Sequence, residues 1–484
     1  MANEVRALEP KDLWNYFADL NEVPRASKKE EKVISFAKKF GESLGLKTFV
    51  DETGNVIIKK PASLGMENRA TVALQSHLDM VHQKNADTDF DFLTQGINMF
   101  VEGDWVKAKG TTLGADNGIG VAAIMALLAS DDITHPPLEA LFTIDEETGM
   151  TGAMGLEGGL LDAQIMLNLD TEDDDELTIG CAGGIDVTAE GSYNEEILTG
   201  DYTSFNIKIS GLSGGHSGMD IHFGRGNANK LMNRFLSDLA KEAEMRIHAI
   251  DGGGLRNALP RESNAIISVL ASKVAVLQKS IEQFNMILAT EYAATDPEAR
   301  IKSAAINGTG GALNAEFQSQ LLKGIYACPN GIYRMNSEIE GLVQTSNNVA
   351  RVLVKGGKYQ ILCLTRSSSS TEKQDEVNAI HGAFELVGAT VSESGSYPGW
   401  EPKPEASIVK IMQQLYKELY HSEAYVSAVH AGLECGILGT NYPDIEMISF
   451  GPNIRGAHSP DEKVQISSVQ KFWHYLLETL KRTP

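Results

Sequence analysis

Three short apolar runs, each ending in acidic or imidazole side chains, constrain this chain more than any other feature. Thr71-Val-Ala-Leu-Gln75 leads into Ser76-His77-Leu78-Asp79, Ala140-Leu-Phe-Thr-Ile144 into Asp145-Glu146-Glu147-Thr148-Gly149, and Ile165-Met-Leu-Asn-Leu169 into Asp170. Short apolar runs bounded by turn signals predict strands buried on both faces. A helical pattern from about Pro10 to Leu46 precedes them. Leu113-Gly-Ala-Asp116-Asn-Gly-Ile-Gly120 reads as a glycine-rich turn feeding an apolar helix that continues to about Ser130. Strands alternating with helices predict a largely parallel sheet, and functional groups on such sheets collect beyond the carboxyl ends of the strands. His77, Glu146, Glu147 and Asp170 therefore belong at one edge, and Asp116 in the turn before a helix.

The rhythm changes from about Ile185. Phe205–Ser210 and Ala265–Leu270 read as strands around a helix from Asn227 to about Glu242. Tyr359–Leu364 and a helix from Lys373 to Val387 look like a second copy of that pattern. Gly214-Gly-His216-Ser set beside Thr365-Arg366-Ser-Ser is a weak repeat signal. After a stretch rich in Gly, Ser and Pro near Ser394 to Pro404, the helix Ser407–Tyr420 and the strand Glu446–Phe450 resume the first pattern. The expected fold is α/β: a discontinuous outer domain, residues 1–186 and 395–484, with a mostly parallel sheet and helices, interrupted by an inserted α+β domain, residues 187–394. A length of 484 residues exceeds what one core usually supports, which agrees with more than one domain.

Charge and cysteine usage remove several classes of function. With 65 acidic against 42 basic residues the net charge is −23, which opposes binding to phosphate backbones, so no nucleic-acid partner is expected. No apolar run long enough to span a bilayer occurs, and residues 1–19 lack the apolar segment of an export signal, so the expectation is a soluble, cytoplasmic protein without a membrane partner. Cys181, Cys328, Cys363 and Cys435 lie far apart without a CxxC pair and read as buried thiols.

Imidazole nitrogen and carboxylate oxygen hold zinc, with an open position where the site is catalytic. His77, Asp116, Glu147, Asp170 and His458 supply two imidazoles and three carboxylates. If one carboxylate bridges, each of two metals receives one imidazole and two carboxylates. Asp116 is the best bridge, because the small residues around it allow an unusual backbone path. Asp79, two residues after His77, shares its face in an extended chain and suits a carboxylate that orients the imidazole. Coordination lowers the pKa of water from about 15.7 toward about 7, and ions roughly 3.5 to 4 Å apart can hold a hydroxide between them. Glu146 would then take the water's proton and return it to a leaving amine. Taken singly, each residue has a plainer reading: Asp116 as a helix N-cap, Glu146 with Glu147 as a solvated loop, His77 with Asp79 as a chance pairing. The ordered set is what points to metal.

The segments Ser76-His-Leu-Asp-Met-Val81, Gly114-Ala-Asp-Asn-Gly118, Asp145-Glu-Glu-Thr-Gly149, Asn168-Leu-Asp170, Gly214-Gly-His-Ser-Gly218 and Gly456-Ala-His-Ser-Pro460 resemble the motif series of the di-zinc metallopeptidases related to carboxypeptidase G and aminoacylase. The match is ordered and covers nearly the whole chain. The long middle domain, Gly252-Gly-Gly-Leu-Arg-Asn-Ala-Leu-Pro260 and Thr365-Arg366 are similar to the branch that cleaves Xaa-His dipeptides. The resemblance implies two zinc ions per chain, with cobalt or manganese as substitutes: one on His77, Asp116 and Asp170, the other on Asp116, Glu147 and His458. It implies Glu146 as general base and Asp79 as the orienting carboxylate. His216, reaching from the inserted lid, would polarise the scissile carbonyl. Asn257 and Arg366 would grip the substrate's terminal carboxylate, and Gly432 would supply a backbone contact. His82 stands where many relatives have proline, and reads as a surface or packed histidine rather than a third imidazole ligand.

The expected reaction is hydrolysis of a small dipeptide substrate. A deacylase of N-acyl amino acids on the same metals is the near alternative, and a non-catalytic zinc-binding protein the distant one. Catalytic groups divided between two domains imply lid closure, with hinge candidates near Gly183-Gly184 and Gly395 to Gly399. The expected assembly is a homodimer, although an enlarged lid also permits a site complete within one chain.

Overall fold

The computed structural model describes residues 2–484 and divides into two compact units. The first takes the chain as far as Gly180, then Trp400–Ala428 and Leu433–Pro484; the second is Cys181–Gly399 with the short excursion Val429–Gly432.

The first unit is built on an eight-stranded sheet. In spatial order its strands are Lys47–Val50, Val56–Lys60, Leu138–Thr143, Val72–His77, Ile165–Asn168, Glu446–Ser449, Glu176–Cys181 and Tyr425–Val429. The four strands from Leu138–Thr143 through Glu446–Ser449 run parallel. The flanks turn antiparallel, because Lys47–Val50 and Val56–Lys60 form a hairpin, and a short loop cannot make a parallel crossover. Every residue of Val72–His77 and Leu138–Thr143 is buried, as expected of parallel strands covered on both faces. The helix Ala115–Ala129 (ADNGIGVAAIMALLA) is apolar nearly all round and is buried throughout except for Asp116 and its last residue. Its fully buried Ile119, Val121, Ile124 and Leu127 each stabilise the fold by about 1.5–3 kcal/mol relative to exposure.

A smaller sheet in the same unit consists of Met99–Glu102, Trp105–Ala108, Ile454–Arg455 and Lys463–Gln465. The last two are antiparallel, with Arg455 opposite Lys463, so residues 456–462 form the loop of a hairpin.

The second unit is an α+β layer whose paired strands in the nine-stranded sheet are all antiparallel. Helices Ala228–Glu242, Val274–Glu291, Ala315–Ala327 and Ser370–Glu385 pack on it through Phe235, Phe284, Leu321 and Phe384. Asn227 caps the first of these helices, accepting the N–H groups of Asn229 and Lys230. Gly183 pairs with Ser367 inside a strand, and a Cβ there would lie 2.5 Å from the backbone at Tyr397–Gly399. Close approach of two backbones accounts for this glycine. The four cysteines are buried thiols, none of them in a disulfide.

Candidate metal centre

Each donor in the first unit is presented by a strand end or a tight turn. His77 closes the strand Val72–His77 and is 1% exposed. Asp116 follows Gly114, whose φ of +68° is one that glycine adopts without strain, and the Asp116–Asn117 peptide is cis. Glu146 and Glu147 open the short helix Glu146–Gly149 after Asp145, which takes a left-handed φ of 55°. That turn is held by Lys28 Nζ and Thr151 Oγ1, which donate to Asp145 at 2.5 and 2.6 Å, and by Thr148. Asp170 follows the strand Ile165–Asn168 and accepts from Asn117 Nδ2, which also donates to Leu169 O at 2.9 Å. His458 sits in the 456–462 hairpin loop with φ 63°.

These elements converge. His77 Nε2 lies 3.0 Å from Asp116 Oδ1 and 3.5 Å from Asp170 Oδ1. His458 Nε2 lies 3.1 Å from Asp116 Oδ2 and 2.9 Å from Glu147 Oε2. The two oxygens of one carboxylate thus face two imidazoles, each accompanied by a further carboxylate. His77 with Asp116 and Asp170, and Asp116 with Glu147 and His458, are groups whose ligand atoms are close enough to share a cation. His77 also groups with Glu146 and Glu147. A fourth group, Glu30 with Asp79 and Asp145, has its charge met by Lys28 at Asp145.

Electrostatics match a cation-binding role. Hydrogen bonds from His458 and His77 hold Asp116 far below the usual carboxylate range, against the burial that would raise it. His77 is raised well above its ordinary value: burial opposes this, but the Asp170 charge and the bonds to Asp116, Asp170 and Asp79 outweigh it. Bonds to Asp116 and Glu147 push His458 up to about 11. Burial pushes Glu146 well above the usual range, and the nearby Asp170, Glu434 and Glu147 charges reinforce it. Carboxylates crowded in a dry site call for positive charge. Glu147 Oε1 is buried without any hydrogen-bond partner, an orphan that suits a metal. The residues present therefore fit a divalent cation pair.

Asp79 is fully buried; it accepts the N–H of Glu146 at 3.0 Å and that of Glu147 at 3.4 Å, and its Oδ1 is 3.4 Å from His77 Nδ1. His82 stays outside the cluster, exposed, with its ring 5.9 Å from that of Phe92.

In the second unit, His216 and Arg366 come together. Nδ1 of His216 accepts the N–H groups of Met219 and Gly218 at 3.0 and 3.2 Å, which assigns the proton to Nε2, 3.4 Å from Arg366 Nη2. Arg366 donates to Tyr397 Oη at 2.9 Å, while its buried Nε has no partner. Burial and the Arg366 charge lower the pKa of His216, and they push His430 down to about 3. His430 Nε2 lies 2.7 Å from Ser346 Oγ, two residues before Gly432. Asn257 is exposed, and its carbonyl accepts the N–H of Ser217.

Three buried polar groups escaped the sequence reading. Glu434 accepts from Gln75 and Thr143 at 2.6 Å each, and burial pushes it up to about 8. Arg25 and Glu462 flank the turn before Asp116. Only the spacing of Glu462, four residues after His458, offered a signal.

Comparison with known proteins accords with this geometry. Residues 73–482 match the family model described as peptidase family M20/M25/M40. The cytosol non-specific dipeptidase of Escherichia coli is 41% identical over 482 residues, covering 100% of this chain and 99% of that protein. The solved structure of aminoacylhistidine dipeptidase from Vibrio alginolyticus superimposes with a TM-score of 0.95 at 41% identity, covering 99% of this chain and 98% of that one. Aminopeptidase PepT from Bacillus cereus shares the fold at a TM-score of 0.57 and 15% identity, with 98% of each chain covered. The chain belongs to peptidase family M20/M25/M40, as a hydrolytic metallopeptidase.

Proposed function

We propose that this chain is a dipeptidase that hydrolyses Xaa-His and related dipeptides on a two-zinc site. The observation that carries the proposal is the position of Asp116, whose two oxygens lie 3.0 and 3.1 Å from His77 and His458. The names of the two relatives that are 41% identical, a non-specific dipeptidase and an aminoacylhistidine dipeptidase, support the substrate class. His77, Asp116 and Asp170 would hold one zinc, and Asp116, Glu147 and His458 the other. Bound zinc supplies a water of lowered pKa and polarises a carbonyl.

The remaining steps belong to side chains of this protein. Glu146, half-buried and of raised proton affinity, accepts the proton of the attacking water and delivers it to the departing amine nitrogen. Asp79 fixes the ring of His77 and the backbone of Glu146 and Glu147. In the second unit, Nε2 of His216 would donate to a carbonyl oxygen. The unsatisfied Nε of Arg366, with Asn257 and the backbone of Gly432, suits the carboxylate of a dipeptide. The cytosolic location in the E. coli relative's name extends to this chain under the same proposal. Assembly as a homodimer is a separate proposal, which light scattering tests.

Hydrolysis of β-Ala-His and Ala-His beside an N-acetyl amino acid, with zinc, after chelation and with Glu146→Ala, tests the reading. Dipeptide cleavage that vanishes on chelation and in the variant is the expected result. Cleavage of the acetyl compound alone would make the chain a deacylase, and no cleavage with zinc bound would make it a binding protein.

A further inference from the structure

Glu462 is 2% exposed, and its carboxylate is met by four consecutive backbone N–H groups. Oε2 accepts from Leu113 at 2.7 Å and Gly114 at 3.0 Å, and Oε1 accepts from Ala115 at 2.7 Å and Asp116 at 3.3 Å. The opposite edge of the same turn is held by Arg25, which is 1% exposed. Its Nη2 donates to Gly114 O at 2.5 Å and Asn21 Oδ1 at 3.1 Å, and its Nη1 to Leu78 O at 3.2 Å and Asp79 O at 3.0 Å. Neither charged group is bonded to a metal-donor side chain. Glu462, itself part of the hairpin loop 456–462, binds the backbone of 113–116, and Arg25 binds the backbone of Gly114, Leu78 and Asp79.

We propose that Glu462 is a positioning residue that registers Asp116 against His458, with Arg25 locking the same turn to the strand end that carries His77. The proposal rests on the metal reading of the preceding subsection. A bridging carboxylate must offer both oxygens to two ions at once, so small rotations of its peptide spoil one side or the other. Burying an anion and a cation is costly unless each is hydrogen-bonded, and here the cost is met by backbone groups of the one turn whose orientation matters. Glu462 lies four residues after His458 on the same hairpin loop, whose ends are fixed by the pairing of Arg455 with Lys463. A displacement of His458 is therefore carried through Glu462 to the turn that holds Asp116.

A purely structural role is the competing account, since the same four amides open the helix Ala115–Ala129 and a carboxylate there also caps it. Glu462→Gln separates the two. It keeps the shape but points an amide N–H at backbone donors. Zinc affinity by chelator competition is expected to fall about 10–100-fold, and the visible spectrum of the cobalt-loaded protein to change. The thermal midpoint of the metal-free protein should stay near that of the wild type. In the metal-free protein, amide exchange at Leu113–Asp116 should be slow in the wild type and fast in the variant. Unchanged affinity and spectrum would overturn the proposal, as would a loss of metal-free stability with affinity retained in the fraction that folds. Should Glu462→Gln not fold, Arg25→Lys keeps the charge and loses the fork, and must show the same loss of affinity. Failure of wild-type protein to bind zinc would defeat the metal reading instead, while the exchange measurement still decides whether Glu462 orders the turn.

Discussion

Asp79 accepts the backbone N–H of Glu146 at 3.0 Å. One buried carboxylate thereby links the ring of His77 to the start of the helix that carries Glu146 and Glu147. Asp79→Ala should lower zinc affinity about 10–100-fold and reduce kcat, because it frees a ligand ring and a peptide together. Asp79→Asn, which keeps an oxygen for one of these partners, should lose less. Zinc titration with steady-state kinetics checks both, and equal losses in the two variants would count against the link.

Glu146→Gln should retain zinc and lose about 10²–10⁴-fold in kcat, the usual contribution of a proton-transferring side chain. The Michaelis constant for Ala-His should move little. Zinc loss as large as the rate loss would instead make Glu146 a ligand, in line with its grouping beside His77 and Glu147.

Arg366→Lys should raise the Michaelis constant for Ala-His about 10–100-fold, the loss expected when a charge-assisted pair of bonds becomes a point contact. Wild-type enzyme should discriminate against the C-terminal amide of the same dipeptide, and the variant should lose that discrimination. Equal preference for acid and amide in the wild type would remove Arg366 from the carboxylate.

Glu376 gives the pH prediction. It is fully buried, both its oxygens lack partners, and burial, reinforced by Cys363 and Asp375, pushes it up to about 9. In the unfolded chain it titrates near 4.3, so between these values the folded protein holds a proton that the unfolded chain releases. Stability is therefore highest below the lower value and falls, by up to roughly 1.4 kcal/mol per pH unit, as pH rises toward 9. Glu376→Gln should be progressively more stable than the wild type from pH 5 to 9 in urea unfolding. A constant difference across that range would refute the assignment.

The strands that position the site were legible because each is a short apolar run closed by polar residues. Val72–His77 and Leu138–Thr143 fall within two residues of the runs read from the sequence. The residues that meet at the site were legible for the same reason, since chemistry placed at strand ends is unusual in polarity as well as in position. The antiparallel flanks of the sheet were not, because pairing direction depends on partners distant in sequence. Helices Val274–Glu291 and Ala315–Ala327 were also missed: their buried stripes, such as Leu277, Ile281, Phe284 and Leu288, sit among polar residues within a stretch read for its strands. Arg25 and Glu462 were hard to read because most of their partners are backbone atoms, which leave no trace in residue identity; only the spacing of Glu462 from His458 gave a signal.

The strand Glu446–Ser449 lies in the sheet between Ile165–Asn168 and Glu176–Cys181. During synthesis the ribosome will have delivered His77, Asp116, Glu147 and Asp170 long before it delivers this strand, or His458 after it. A growing chain therefore carries four of its five candidate donors on a sheet that lacks an interior strand. Translation order delays a complete site until His458 has emerged.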